Sequence, residues 1–146
     1  MAIAFERLTR HDVAKLRRAD DDIFDHAIDT QRAAAFLDDP LNILVVAIED
    51  GIVVGQIQGR IHAHLDAPDD LLIDNLGVAP RARRRGIARR LIAMALDIAR
   101  ARGAAAAWVL TESDDGVAQA VYRAAGAAAR PVTMFDFSAP AGDRAR

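Results

Sequence analysis

Between residues 81 and 90 the chain reads Arg81-Ala82-Arg83-Arg84-Arg85-Gly86-Ile87-Ala88-Arg89-Arg90, a glycine set among arginines. The stretch follows an apolar run and precedes a helical repeat. Backbone N–H groups left free at a helix N-terminus converge there, and the helix dipole adds partial positive charge, so phosphate oxygens bind well. Gly86 lets the main chain approach an anion without a Cβ clash, Ala88 keeps the first turn small, and Arg83, Arg84 and Arg85 add charge. No Lys-Ser or Lys-Thr follows the glycine, which excludes a Walker loop, and the first two glycines of a dinucleotide fingerprint are missing. Taken alone, the stretch reads equally well as a solvated, arginine-rich helix start. A nucleic-acid patch is the weaker reading, because only 5% of residues are aromatic and the net charge is −2.

Other chemistry is narrowed by what the chain lacks. It has no cysteine, which removes disulfides, thiolate nucleophiles, cysteine-based zinc sites and acyl-enzymes carried on sulfur. Any group transfer here uses another nucleophile or none. Ser113 and Ser138 have no nucleophile-elbow context. His62 and His64, two apart on an expected strand, share a face and could act as a base or a weak metal pair; without a third ligand at a recognisable spacing, no metal is expected. Residues 1–75 carry 7 basic and 15 acidic side chains, a net of −8, and residues 76–146 carry 12 and 6, a net of +6. Such asymmetry suits two unlike ligands, one anionic and one cationic.

The elements that must position these groups follow from periodicity. At 146 residues and 52% hydrophobic composition the chain is expected to fold as a single domain over 1–138, with 139–146 a flexible tail. A first strand is expected over Ile3 to Arg7, and Thr9 with Asp12 resembles a capping box opening a helix that runs into Asp20, Asp21 and Asp22. A short helix from Thr30 to Leu37 stops before Pro40. Asn42 to Ile48 and Ile52 to Ile61, joined by Glu49-Asp50-Gly51, read as an antiparallel hairpin. Leu71 to Val78 is a strand ended by Ala79-Pro80. From Ile87, apolar residues Leu91, Met94, Ala95 and Ile98 recur at helical spacing, and Gly103 stops that helix. Ala106 to Thr111 reads as a strand, Asp115 to Ala125 as a helix closed by Gly126, and Val132 to Phe137 as a last strand. No apolar run is long enough for a membrane span or a signal peptide, so a cytoplasmic location is expected.

Three segments together carry a resemblance: Asn75-Leu76-Gly77-Val78-Ala79-Pro80, then Arg83-Arg84-Arg85-Gly86-Ile87-Ala88 as an Arg/Gln-x-x-Gly-x-Gly/Ala motif, then Ala120-Val121-Tyr122-Arg123-Ala124-Ala125-Gly126. The chain resembles the GNAT superfamily of acyl-CoA-dependent N-acetyltransferases over roughly residues 2–138. Asp114-Asp115, Ile23-Phe24-Asp25 and Met134-Phe135-Asp136-Phe137 are similar to segments of the short aminoglycoside 3-N-acetyltransferases. The resemblance implies an α/β fold with a central mixed, mostly antiparallel sheet, a splayed strand pair and flanking helices. Acetyl-CoA would be the co-substrate, with its pantetheine arm and thioester along Leu76, Gly77 and Val78 and its diphosphate on Arg83, Arg84, Arg85, Gly86, Ile87 and Ala88.

Catalytic roles follow from the same resemblance. Tyr122, the only tyrosine, stands where the superfamily carries the tyrosine that protonates the departing thiolate. Asp74 is the first candidate for the base that takes the amine proton. In the aminoglycoside-type pattern an aspartate directly precedes the leucine of this strand; here Asn75 has that place, and simple alternation puts Asp74 on the opposite face. Glu112, Asp115 and Asp25 are the candidate substrate carboxylates, with Asp115 also readable as a helix N-cap. The expected activity is transfer of acetyl from acetyl-CoA to a primary amine by direct attack, with the 3-amino group of an aminoglycoside as the favoured acceptor. Other small amines or peptide amines are the alternative acceptors, and a non-catalytic acyl-CoA sensor is the alternative class. The expected partners are these small molecules and a second copy of the chain, with no nucleic acid and no membrane.

Overall fold

Near-continuous apolar runs rich in β-branched residues, Ile43 to Ile48 and Ile52 to Val54, drive a hairpin whose two strands lie at the middle of the molecule. In the computed structural model, which describes residues 2–138, β2 (Asn42–Glu49) pairs antiparallel with β3 (Ile52–His62). The expected tail, 139–146, lies outside the described residues. β1 (Ala4–Arg7) pairs with the outer edge of β2, and β4 (Asp70–Val78) pairs antiparallel with β3. β5 (Ala106–Val109) adds in parallel to β4, giving the sheet order β1-β2-β3-β4-β5. Val45, Val46, Val53, Val54, Ile57 and Leu71 are fully or almost fully buried, so the core sits on both faces of the central strands.

The 15-residue α2 (Ile87–Ala101) buries Ile87, Leu91, Ile92, Ala95 and Ala99 against the sheet. It packs on the face marked by Gly55, where a Cβ would stand 3.0 Å from Ile87. The opposite face receives the segment around Ile23, which follows a 3-10 helix (Arg10–Arg18), and near it lies α1 (Thr30–Asp38). α1 begins at Asp29, whose side chain accepts from the N–H groups of Gln31 and Arg32. α3 (Gly116–Ala124) follows β5.

Three expected elements differ. The first helix stops at Arg18 and does not run into the aspartates: Ala19 forms a parallel bridge with Val53, and the Asp20 N–H donates to the Val53 carbonyl at 2.9 Å. Pairing with the sheet outcompetes another helical turn. β5 ends at Val109 rather than Thr111, and the strand expected over 132–137 is not formed. The segment pairs with neither the outer edge of β5 nor the uncovered end of β4, and a lone strand leaves its backbone groups unpaired.

Two features of β4 matter for function. β5 pairs only with residues 70–73 of β4, so from residue 74 onward that edge has no strand beside it. This is the splayed pair. Gly77 also has a packing role: a Cβ there would lie 2.2 Å from the Ile23 carbonyl oxygen, so the Ile23 segment can cross β4 only over a glycine. Gly77→Ala is expected to cost about 1–3 kcal/mol, the usual range for overpacking. A urea unfolding curve would show it as a lower midpoint, and an unchanged midpoint would contradict the close approach.

Candidate active site

The turn before α2 has the geometry its residue types suggest. Arg84 and Gly86 both adopt positive φ, 62° and 76°, and Gly86 is the N-cap of α2 with no side chain capping it. The first helical bond is Arg90 N–H to the Gly86 carbonyl at 3.1 Å. Among the described residues, the N–H groups of 84–89 therefore have no protein acceptor. A row of free donors at a helix N-terminus is a cradle for phosphate oxygens. Nothing lies within 4 Å of where a Gly86 Cβ would stand, so the glycine is required by its φ and not by crowding inside the protein.

The arginines divide their work differently from the simple expectation that all three add free charge. Arg83 Nε donates to the Val78 carbonyl at 3.2 Å, and Arg85 Nη1 donates to Glu49 Oε2 at 2.7 Å, so both brace the turn. The Arg85 guanidinium holds the Glu49 carboxyl below the usual carboxylate range. Arg81 pairs with Asp20, tying the turn to the segment over the opposite sheet face. Among the described residues Arg84 has no ion-pair partner, which leaves its charge available to an anion. Ile87 is 2% exposed and belongs to the core, so it offers a ligand only its N–H.

β4 carries the next part. Gln58 pairs with Asn75 and Gly59 with Ile73, so Asp74 is an extra residue, a β-bulge. The bulge interrupts the simple alternation on which the expected opposite faces of Asp74 and Asn75 rested. Asn75 lies on the face of Gln56 and Gln58, away from α2. Asp74 is exposed, yet partial burial of its carboxyl pushes it above its ordinary value, with the nearby His62 acting in the opposite sense. A carboxyl raised in this way is a stronger base than an ordinary aspartate and can accept a proton. His64 lies beyond the end of β3 rather than on it; its Nε2 is 3.0 Å from Asp70 Oδ2, and His62 Nδ1 is 3.8 Å from Asp70 Oδ1. No group of three potential metal ligands comes together among the described residues.

Tyr122 is on α3, half-buried against the core. Burial raises its phenol above the ordinary value, with the Asp115 charge adding to the rise, so the hydroxyl stays protonated and can donate. Asp115 is the N-cap of α3, accepting from the Ala118 N–H at 3.0 Å, and Glu112 is exposed with no side-chain partner among the described residues. Asp25 is exposed and accepts from Asn75 Nδ2 at 2.9 Å. Sequence reasoning missed Gln56 and Asn75. Gln56 is 0% exposed, yet it donates through Nε2 to the Ile23 carbonyl at 2.8 Å and to Asn75 Oδ1 at 2.5 Å. A polar residue at a core position of an apolar strand was the available signal.

A bulged strand bared along one edge lies beside a helix N-terminus with its donors free, an arrangement that can take an added extended amide chain and a phosphate. The chain belongs to the acetyltransferase (GNAT) family, whose profile matches residues 7–127. It is thus an acetyl-CoA-dependent N-acetyltransferase by family. No curated protein matches it by sequence. Solved structures of similar fold include an aminoglycoside acetyltransferase from an uncultured soil metagenomic sample in complex with sisomicin, 20% identical, TM-score 0.82, covering 94% of this chain and 97% of that one. The aminoglycoside N-acetyltransferase AAC(6')-Iy, in complex with a bisubstrate analogue of CoA and acetylneamine, is 18% identical with TM-score 0.80, covering 96% and 100%. A transcriptional regulator from Bacillus halodurans shares the fold at 19% identity and TM-score 0.70, covering 92% and 100%.

Proposed function

We propose that this protein transfers acetyl from acetyl-CoA directly to an amine of an aminoglycoside. The observation that carries the reading is the pairing of two unlike surfaces across β4. Free N–H groups over 84–89 suit the CoA diphosphate. On the opposite face of the sheet stand Asn75 and Asp25, with Asp74 in the adjoining bulge of β4, a set suited to a cation. The fold neighbours supply the acceptor class, since two of them are structures with an aminoglycoside or an aminoglycoside-derived bisubstrate analogue.

When bound, acetyl-CoA supplies an activated acyl carbon. The bare edge of β4 at 76–78 offers backbone groups that the pantetheine amides complete as an added strand would, and an N–H aimed at the thioester oxygen stabilises the oxyanion. Asp74, as carboxylate, takes a proton from the attacking amine, directly or through a water. Tyr122 gives its proton to the departing sulfur. Asp25 holds a second cationic group; Glu112 and the free oxygen of Asp115 contribute negative charge on the α3 side.

The acceptor position is tested by NMR of the acetylated product. The sequence resemblance favours the 3-amino group, whereas one fold neighbour carries the 6′ designation in its name. Acetylation at either amine supports an aminoglycoside acceptor, and the position selects the subclass. Acetylation confined to polyamines or peptides contradicts it. Tight acetyl-CoA binding without transfer to any amine moves the protein to the sensor class.

A pair of chains belongs to the same proposal. β5 keeps one edge bare, with Trp108 and Leu110 exposed. The strand-forming residues Val132, Met134, Phe135 and Phe137 are 61–99% exposed in their own chain. A second copy would satisfy both. Light scattering is expected to give a dimer, with Phe135→Asp shifting it to monomer; a monomeric wild-type protein would contradict the pairing.

A further inference from the structure

Gln56 is the one buried polar side chain in the core described, and burying an amide is costly unless its groups are bonded. Its Nε2 reaches two acceptors, the Ile23 carbonyl and Asn75 Oδ1, at 2.8 and 2.5 Å. The second bond fixes the Asn75 amide: with Oδ1 turned to Gln56, Nδ2 is turned the other way, where it meets Asp25 Oδ2 at 2.9 Å. Three residues from β3, β4 and the Ile23 segment thus form one directional chain that begins in the core and ends on an exposed carboxylate.

The segment that carries Asp25 is held at several other points. Ile23 is 2% exposed and sits over Gly77, and Asp20 is bound through its N–H to Val53 and through its carboxylate to Arg81. These contacts place the backbone, yet an exposed aspartate on a placed backbone still turns about its side-chain torsions. The Asn75 bond removes that freedom and sets the carboxylate next to the residue that precedes Leu76. Asp74, the bulge residue, immediately precedes Asn75 on β4.

We infer that Gln56 and Asn75 are positioning residues for acceptor specificity. They hold Asp25 against Asn75, the neighbour of Asp74 on β4, so that an acceptor bearing two or more ammonium groups docks one on Asp25 while presenting another to the base. This role rests on the acetyltransferase reading with a polycationic acceptor. It predicts selectivity by charge count: a diamine or aminoglycoside gains from the pre-set carboxylate, and a monoamine does not.

The test is calorimetric titration of the CoA-bound protein with an aminoglycoside and with a simple monoamine, accompanied by steady-state kinetics. Asn75→Ala removes the bond to Asp25 without opening the core, and Gln56→Met preserves volume while releasing the Asn75 amide. Asp25→Asn and Asn75→Ala should each weaken aminoglycoside binding about tenfold, or about 1.4 kcal/mol. The double variant should be no weaker than either single one, because both changes remove the same interaction. Gln56→Met should act in the same direction with its own kcat at saturating acceptor within about twofold of wild type, and its monoamine binding should not change. Additive effects, or an Asn75→Ala protein that binds the aminoglycoside as wild type does, would overturn the positioning role alone. Absence of aminoglycoside binding by the wild-type protein would overturn the acceptor reading and this role with it.

Discussion

Replacing Tyr122 with Phe should lower kcat about a hundredfold while leaving the acetyl-CoA dissociation constant unchanged, within the span ordinarily contributed by a positioned general acid. The thiolate of CoA is a poor leaving group unless a proton reaches it as the carbon–sulfur bond breaks. Burial and the Asp115 charge both keep the phenol protonated, so it can supply that proton across the neutral range. The ring packs against the core, and Phe preserves that packing, so stability should hardly change. The pairing of large kcat loss with constant binding is what separates a proton donor from a packing residue. Turnover within about twofold of wild type would remove the assignment.

Replacing Asp74 with Asn should have the second large effect, a loss of about a hundredfold in kcat/KM near neutral pH, together with a change of pH profile. The carboxyl is raised above its ordinary value by burial, and it works only when ionised. Wild-type kcat/KM should therefore climb as pH rises through that raised value, and the climb should be absent in the variant. Stability provides an independent check of sign. A carboxyl whose folded value lies above its unfolded one contributes stability that is fully present below the unfolded value and is lost as pH rises through the folded one. At neutral pH the ionised Asp74 is then a burden, so the Asn variant should melt no lower than wild type there, and any advantage should vanish in acid. An unchanged acid limb would exclude Asp74 as the base.

These two residues also show how far sequence reading reaches. The strand, the Ala79-Pro80 stop, Gly86 and the apolar repeat of α2 are local signals, and each appears in the fold close to where its spacing puts it. The bulge at Asp74 was not legible, because a bulge depends on which residue of β3 lies opposite and not on β4 alone. Arg83 and Arg85 were read as free charge, while their partners, Val78 and Glu49, are known only once the chain has folded back. The bond between Asn75 and Asp25 joins residues fifty positions apart, and that between Gln56 and Asn75 nineteen apart, separations over which no periodicity speaks. The strand expected over 132–137 failed for the related reason that strand propensity names no partner.

Release of free thiol from acetyl-CoA, measured with and without an aminoglycoside, tests the central claim most directly. The chain contains no cysteine, so every thiol that appears is CoA. Rapid, saturable release that depends on the aminoglycoside, with one acetyl group found on the acceptor for each thiol, is the expected result. No acceleration by any aminoglycoside, in a protein that binds acetyl-CoA, would contradict the account.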